Sequence, residues 1–225
     1  MKTIIPQKVY ENGAVPYAWN FEHLGISFFE VPKTGSSSTK TLLFRKNFGI
    51  PEGEVFDITK NKLKRRFPDA MVRDFGKDGL LDRILIIYRD PLARAKSTYR
   101  HVFLKQHKHE GPMSKLFETV FEDALMDDPK DAANNHYKPM TWFFPKALLD
   151  DPRSIFIETK ALSALPDLLG LTATSEKPAS MPHLLKTNKY EGEIDMTDDE
   201  IKAALGPAFD DDFAFYEKLS AIQNT

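Results

Sequence analysis

Cysteine is absent from the 225-residue chain, which excludes a disulfide framework, a thiolate metal site and a cysteine nucleophile. Such a chain suits a reducing compartment, and the cytoplasm is the expected location. No apolar run reaches the ~18 residues that a membrane-spanning helix needs, and the opening MKTIIPQKVYENG lacks the apolar centre of a secretory signal. Neither membrane insertion nor a signal peptide is expected. A general excess of positive charge is also missing, since the net charge is −2. Duplex nucleic acid usually demands a basic domain, so nucleic acid is not an expected partner. Repeats and low-complexity tracts are lacking as well. With 41% hydrophobic and 28% charged residues, the composition is that of a globular protein, and one domain over 1–225 is expected.

The small net charge conceals an asymmetry. Residues 1–112 hold 20 Lys and Arg against 12 Asp and Glu, whereas 113–225 hold 11 against 21. A basic first half suits a small polyanionic ligand. Two apolar runs in that half, ISFFEV (26–31) and RILIIYRD (83–90), read as buried strands, and SIFIET (154–159) reads as a third. Helices are expected over about 36–47, 91–105, 113–128, 160–170, 197–205 and 207–222. On a wheel of the second helix, Leu92, Ala95, Tyr99, Val102 and Phe103 share one face, with Arg94, Ser97 and His101 opposite. Strands alternating with helices predict an α/β fold with a central, mostly parallel sheet flanked by helices. Residues 174–192 read as a long loop, and the basic run KNKLKRRF (60–67) as a solvated helix face.

Between the first strand and the first helix stands VPKTGSSSTKTLL (31–43). A lysine, a glycine corner and a row of hydroxyls at a helix N-terminus make a phosphate cradle, because backbone N–H groups and the positive end of the helix dipole point at the ligand. The order is wrong for the common NTP-binding loop, which places its lysine after the second glycine. Here Lys33 precedes Gly35, and no glycine stands at the required upstream offset. An ATP-dependent kinase built on a variant loop, and a nucleotide-binding module without turnover, stay open as alternatives.

The pairing of VPKTGSSST with IIYRDPLARAKSTYRH (86–101), each after a strand, resembles the sulfotransferase family that uses 3′-phosphoadenosine 5′-phosphosulfate (PAPS), especially its carbohydrate branch. The resemblance implies that Lys33, Thr34, Gly35, Ser36, Ser37, Ser38 and Thr39 hold the 5′-phosphosulfate, and that Arg89 and Ser97 hold the 3′-phosphate, in a motif that also carries Asp90, Pro91, Arg94 and Tyr99. NNHYKPMTWFF (134–144) resembles a further element of that family, with Met140 where glutamine is usual. The stretch 155–171, with Glu158 and Leu162, and HLLKTNKYEG (183–192) with the acidic tail behind it resemble its later parts. Lys186, Asn188 and Lys189 then belong to a C-terminal cofactor loop. The implied reaction moves a sulfuryl group from PAPS to a hydroxyl acceptor, with a sugar or glycan expected and no metal required.

The residues themselves fit that chemistry. Sulfuryl transfer builds negative charge on the leaving oxygen, where Lys33 supplies a positive point charge. Arg89 at a strand end offers a planar two-pronged donor for a phosphate, and Ser97 adds a hydroxyl. A hydroxyl nucleophile needs a base, and among the six histidines His136 is favoured for its place in a polar turn ahead of Trp142, Phe143 and Phe144. A structural histidine bonded to a carbonyl is the plain alternative. Glu30 is the rival base, and a strand-end carboxylate paired with a lysine is its alternative. Arg94 reads equally as a partner of Asp90 at helical spacing.

Overall fold

The computed structural model describes residues 16–73, 75, 79–106, 108, 110–121, 125, 134–171 and 192–223. They fall into two compact units, each assembled from separate parts of the chain. Most of the first is 16–88 with 144–171, and most of the second is 89–143 with 192–223.

The first unit holds the sheet. Its strands are β1 (Ala18–Phe21), β2 (Ile26–Phe29), β3 (Met71–Val72), β4 (Arg83–Tyr88) and β5 (Ser154–Glu158), in the order β3-β1-β2-β4-β5. The apolar runs read from sequence are the parallel part: β2 pairs with β4 through Ile26↔Arg83 to Phe29↔Ile86, and β4 with β5 through Ile84↔Ser154 to Tyr88↔Glu158. Ile84 to Ile87 have no exposed surface, as expected of a strand covered on both faces. The fold class is therefore α/β. β1 and β3 add an antiparallel edge, with Phe21 opposite Ile26 across a short turn.

Helix α1 (Ser36–Phe48) follows β2 directly and lays Leu42, Leu43 and Phe44 on the sheet. Phe44 meets Trp19 and Phe21 edge-on at 5.3 and 4.9 Å, a geometry that aligns ring edges with ring faces. Helix α2 (Lys60–Arg66) is the basic run. It buries Leu63 alone and exposes Lys62, Lys64, Arg65 and Arg66, as a solvated face should.

The second unit is helical. Pro91 opens α3 (Pro91–Thr98), where a missing N–H costs nothing, and Asp90 Oδ1 caps it by accepting from the Leu92 N–H at 3.0 Å. The α-helix expected to reach 105 stops at Thr98, and Tyr99–Gln106 continue as a π-helix. Over eight residues the apolar pattern is the same for both windings, so sequence does not separate them. α4 (Met113–Thr119) follows. In the first unit, the expected helix after β5 is a 3₁₀ segment, Thr159–Ala164, and a short α5 (Leu165–Leu168). In the second, α6 (Asp198–Leu205) carries a capping box between Thr197 and Glu200, and α7 (Asp210–Gln223) ends the described chain. Tyr99, Val102 and Phe103 pack with Met113, Leu116, Ile201, Leu205 and Phe209 as the core of this unit. The polar side of α3 and of the π-helix after it is no solvent face: Arg94, Ser97 and His101 are 2%, 6% and 9% exposed.

Candidate active site

In the first unit, the turn at 32–35 carries the predicted cradle. Lys33 sits at φ 67° and Gly35 at φ 85°, both left-handed. For a lysine that backbone costs about 1–2 kcal/mol, and such costs gather where a ligand must be met. Gly35 has a second reason to be glycine, because an added Cβ there would overlap Leu162 Cδ1. Gly35 is also the N-cap of α1, and no side chain caps that end. The first-turn N–H groups of Ser36, Ser37 and Ser38 thus stand at a helix start left for something other than a side chain.

The turn is tied down on its protein side. The Thr34 hydroxyl donates to Val31 O at 2.9 Å. The Thr159 hydroxyl, at the end of β5, lies 3.1 Å from Thr34 O and 2.9 Å from Tyr88 O. One side chain therefore links the cradle to the last residue of β4, immediately ahead of Arg89. The Thr39 hydroxyl is turned inward to Gly35 O at 3.2 Å, so of the predicted hydroxyls it is committed to the helix.

Glu30 precedes the turn, and its carboxylate accepts from Tyr17 OH at 2.7 Å, from Trp19 Nε1 at 3.2 Å and from Lys40 Nζ on α1. Burial works against its charge, but the Lys40 ammonium and these donors prevail and hold its carboxyl below the ordinary value. A carboxylate so engaged is a weak proton acceptor. The geometry matches the paired-carboxylate alternative, with Glu30 and Lys40 clipping the end of β2 to α1 across the phosphate turn.

In the second unit, α3 presents a row of cations. Burial lowers the pKa of Arg89, with Asp90 opposing and Arg100 adding to the shift. Arg94 is nearly enclosed, and burial brings it down to about 10 against the pull of Asp212, with Arg89 adding its repulsion. Asp212 on α7 is thus the carboxylate whose charge favours that of Arg94, and Asp90 caps α3. Asp212 is fully buried and accepts from Met140 N at 2.6 Å, Thr141 N at 2.9 Å and the Thr141 hydroxyl at 2.8 Å. Burial raises its pKa in spite of Arg94 and those three donors.

His136 ends the 3₁₀ turn Asn134–His136. Its carbonyl accepts from the Thr98 hydroxyl at 3.2 Å, and its ring lies 6.5 Å, centre to centre, from that of His101. Arg94, Thr98, His136 and Tyr137 line a small cavity bounded by Phe121 and Phe209. Among the described residues of this unit, the predicted Arg89 stands two residues before α3, Ser97 is in its last turn, and His136 is bonded to it through Thr98.

The model of the sulfotransferase family matches residues 17–217. The chain belongs to the sulfotransferase family. It is a transferase, and its reaction class is sulfuryl transfer. No curated protein and no solved structure matches it.

The family match takes in both units of this sulfotransferase, from the residue before β1 to within α7. Lys186, Asn188 and Lys189 lie outside the described residues. Among the described residues, no group of three or more His, Asp or Glu side chains is arranged to hold a metal ion, and no helix is long and apolar enough to cross a membrane. Sequence reading passed over Thr159, Lys40, Thr98 and Asp212. Of these, only Lys40 had a local signal, ten residues beyond Glu30 on the helix that leaves the phosphate turn.

Proposed function

We propose that this sulfotransferase transfers the sulfuryl group of PAPS to a hydroxyl of a carbohydrate, and that its two units act together as one catalytic domain. The observation that carries the reading is Lys33, held in a left-handed backbone directly before an uncapped helix start that follows a parallel strand. Three N–H groups and a lysine at such a place suit a phosphosulfate, and the half-buried guanidinium of Arg89 suits the second phosphate of the same nucleotide. In this reading Lys33, Thr34, Gly35, Ser36, Ser37, Ser38 and Thr39 form the 5′ cradle, with Thr39 holding the turn closed through the N–H and hydroxyl it gives to Gly35 O. Arg89 and Ser97 take the 3′-phosphate, and Lys186, Asn188 and Lys189 bind the nucleotide.

The donor supplies the sulfuryl group and a leaving phosphate oxygen. Lys33 sets positive charge where that oxygen gains negative charge, which lowers the barrier without a metal. His136 takes the proton of the attacking hydroxyl. Glu30 has no proton-transfer role here, because three donors already hold its carboxylate.

The test is sulfate transfer from labelled PAPS to a panel of sugars, glycolipids and phenols, alongside binding of the desulfated nucleotide. Sulfated sugar is the expected product, and transfer to phenols alone would refute the carbohydrate assignment. Lys33→Ala should cost about 100- to 1000-fold in turnover with a far smaller loss in affinity for the desulfated nucleotide. Equal losses in both would leave Lys33 a binding group only.

A further inference from the structure

The nucleotide-side helix and the segment carrying His136 are joined by side chains that sulfuryl transfer does not itself require. α3 bears Arg89 at its approach and Ser97 in its last turn. On the same helix the Thr98 hydroxyl donates to the backbone carbonyl of His136. One turn before Ser97, Arg94 lines one cavity with Thr98 and His136, and its charge is favoured by the Asp212 carboxylate, which takes two backbone N–H groups and a hydroxyl at the start of the next turn, Met140–Phe143. The chain from His136 to Thr141 is therefore held at both ends, by Thr98 at one and by Asp212 at the other.

The arrangement is costly if its only purpose is to fold. An isolated buried carboxylate and guanidinium are each expensive to desolvate, and an apolar pair of the same volume often serves stability as well or better. A pair retained in spite of that cost fixes geometry. Asp212 does so for two successive N–H groups, which a neutral side chain of the same size cannot satisfy with two charged oxygens.

We infer that Thr98, Arg94 and Asp212 are positioning residues which fix the His136 segment against the helix that binds the 3′-phosphate. The inference rests on the proposed roles of His136 and Arg89. None of the three touches the reacting atoms; each acts through the backbone of 136–141 or through the charge of its neighbour. Their work is orientation, and a misplacement of about 1 Å by a remote change can cost ~100-fold in rate.

The experiment compares wild type, Thr98→Val, Asp212→Asn, His136→Ala and the double variant Thr98→Val/His136→Ala. Two readouts are taken: the dissociation constant for adenosine 3′,5′-bisphosphate, and the single-turnover rate from PAPS to the panel sugar that wild type sulfates fastest. Thr98→Val should lower the rate about 10-fold and Asp212→Asn about 100-fold, with nucleotide affinity within about twofold of wild type. In the His136→Ala background, Thr98→Val should cost nothing further, because residues acting as a unit are not additive. A merely structural role would give the same cost in both backgrounds, and that result overturns the inference. So does a parallel loss of affinity and rate. Should Asp212→Asn fail to fold, Thr98→Val decides alone, since it exchanges one hydroxyl for a methyl of the same shape. A wild type that binds no nucleotide would remove the parent reading and this inference together. A wild type that binds and transfers while His136→Ala keeps its rate would remove the inference and leave the sulfotransferase reading intact.

Discussion

Gly35→Ala is the sharpest single test of the phosphate turn, because two separable costs meet in one methyl group. The first is conformational: Gly35 lies at φ 85°, where an L-residue costs about 1–2 kcal/mol. The second is steric: the new Cβ would overlap Leu162 Cδ1, and Thr159 Cγ2 lies at 4.0 Å behind it. Forcing a methyl into an occupied site costs typically 1–3 kcal/mol. Together the change should destabilise the protein by about 2–5 kcal/mol, and the turn should shift away from the Thr159–Leu162 side. Urea denaturation measures the first consequence, and titration with the desulfated nucleotide measures the second. Leu162→Ala separates the terms. In the double variant the steric part should disappear, so that the two changes together cost about 1–3 kcal/mol less than their sum, while the conformational part persists. A Gly35→Ala protein within about 0.5 kcal/mol of wild type, or strict additivity with Leu162→Ala, would refute the packing of this turn as described.

Glu30→Gln removes the negative partner of a buried lysine, for which a loss of about 3 kcal/mol is expected. Since its folded carboxyl titrates below the ordinary value of 4.5, the stability that Glu30 contributes is complete above that pH and fades as pH falls through the folded value. The difference between wild type and variant in urea midpoint should accordingly be full at pH 7 and shrink below pH ~4. Folded Glu30→Gln should keep most of its transfer rate; near-complete loss would restore Glu30 as the base. Wild type should prefer a 3′-phosphorylated nucleotide over its 3′-hydroxyl analogue, and Arg89→Ala should erase roughly 1.5–3 kcal/mol of that preference, as read by calorimetric titration of both ligands. His136→Ala should lower transfer by about 100- to 10,000-fold with nucleotide affinity unchanged, and a retained rate would move the search for the base to His101, the neighbouring ring.

The parallel half of the sheet was legible because a strand buried on both faces must be apolar at every position, and β2, β4 and β5 are short unbroken runs of that kind. β1 carried a fainter sign. Ala18–Phe21 is four residues long and includes Asn20, whose amide donates to Gly79 O and whose side-chain oxygen accepts from Ser27. A polar residue within so short a strand hides it from a hydropathy pattern. β3 has only two residues, and no periodicity can be read from two. The burial of Arg94, Ser97 and His101 was concealed for another reason. Amphipathic reading assigns polar residues to solvent, whereas here they are buried within the second unit.

The same distinction separates the two sides of the chemistry. A phosphate cradle is built from consecutive backbone groups, so its lysine, glycine and hydroxyls must be neighbours in sequence, and a motif is the direct trace of that requirement. The residues that fix the acceptor side obey no such rule. Asp212 reaches Met140 across 72 positions, and Thr98 reaches His136 across 38. What they supply is an orientation, and any residue whose oxygen arrives at the right point in space supplies it equally well. On the proposed reading, donor chemistry is consequently written as local order along this chain, while the placement of the His136 segment depends on distant side chains that only folding brings together. Substitutions along 31–39 should therefore change whether the sulfuryl group is transferred at all. Substitutions at Thr98, Arg94 and Asp212 should instead change how fast a given hydroxyl receives it, with the nucleotide bound as before.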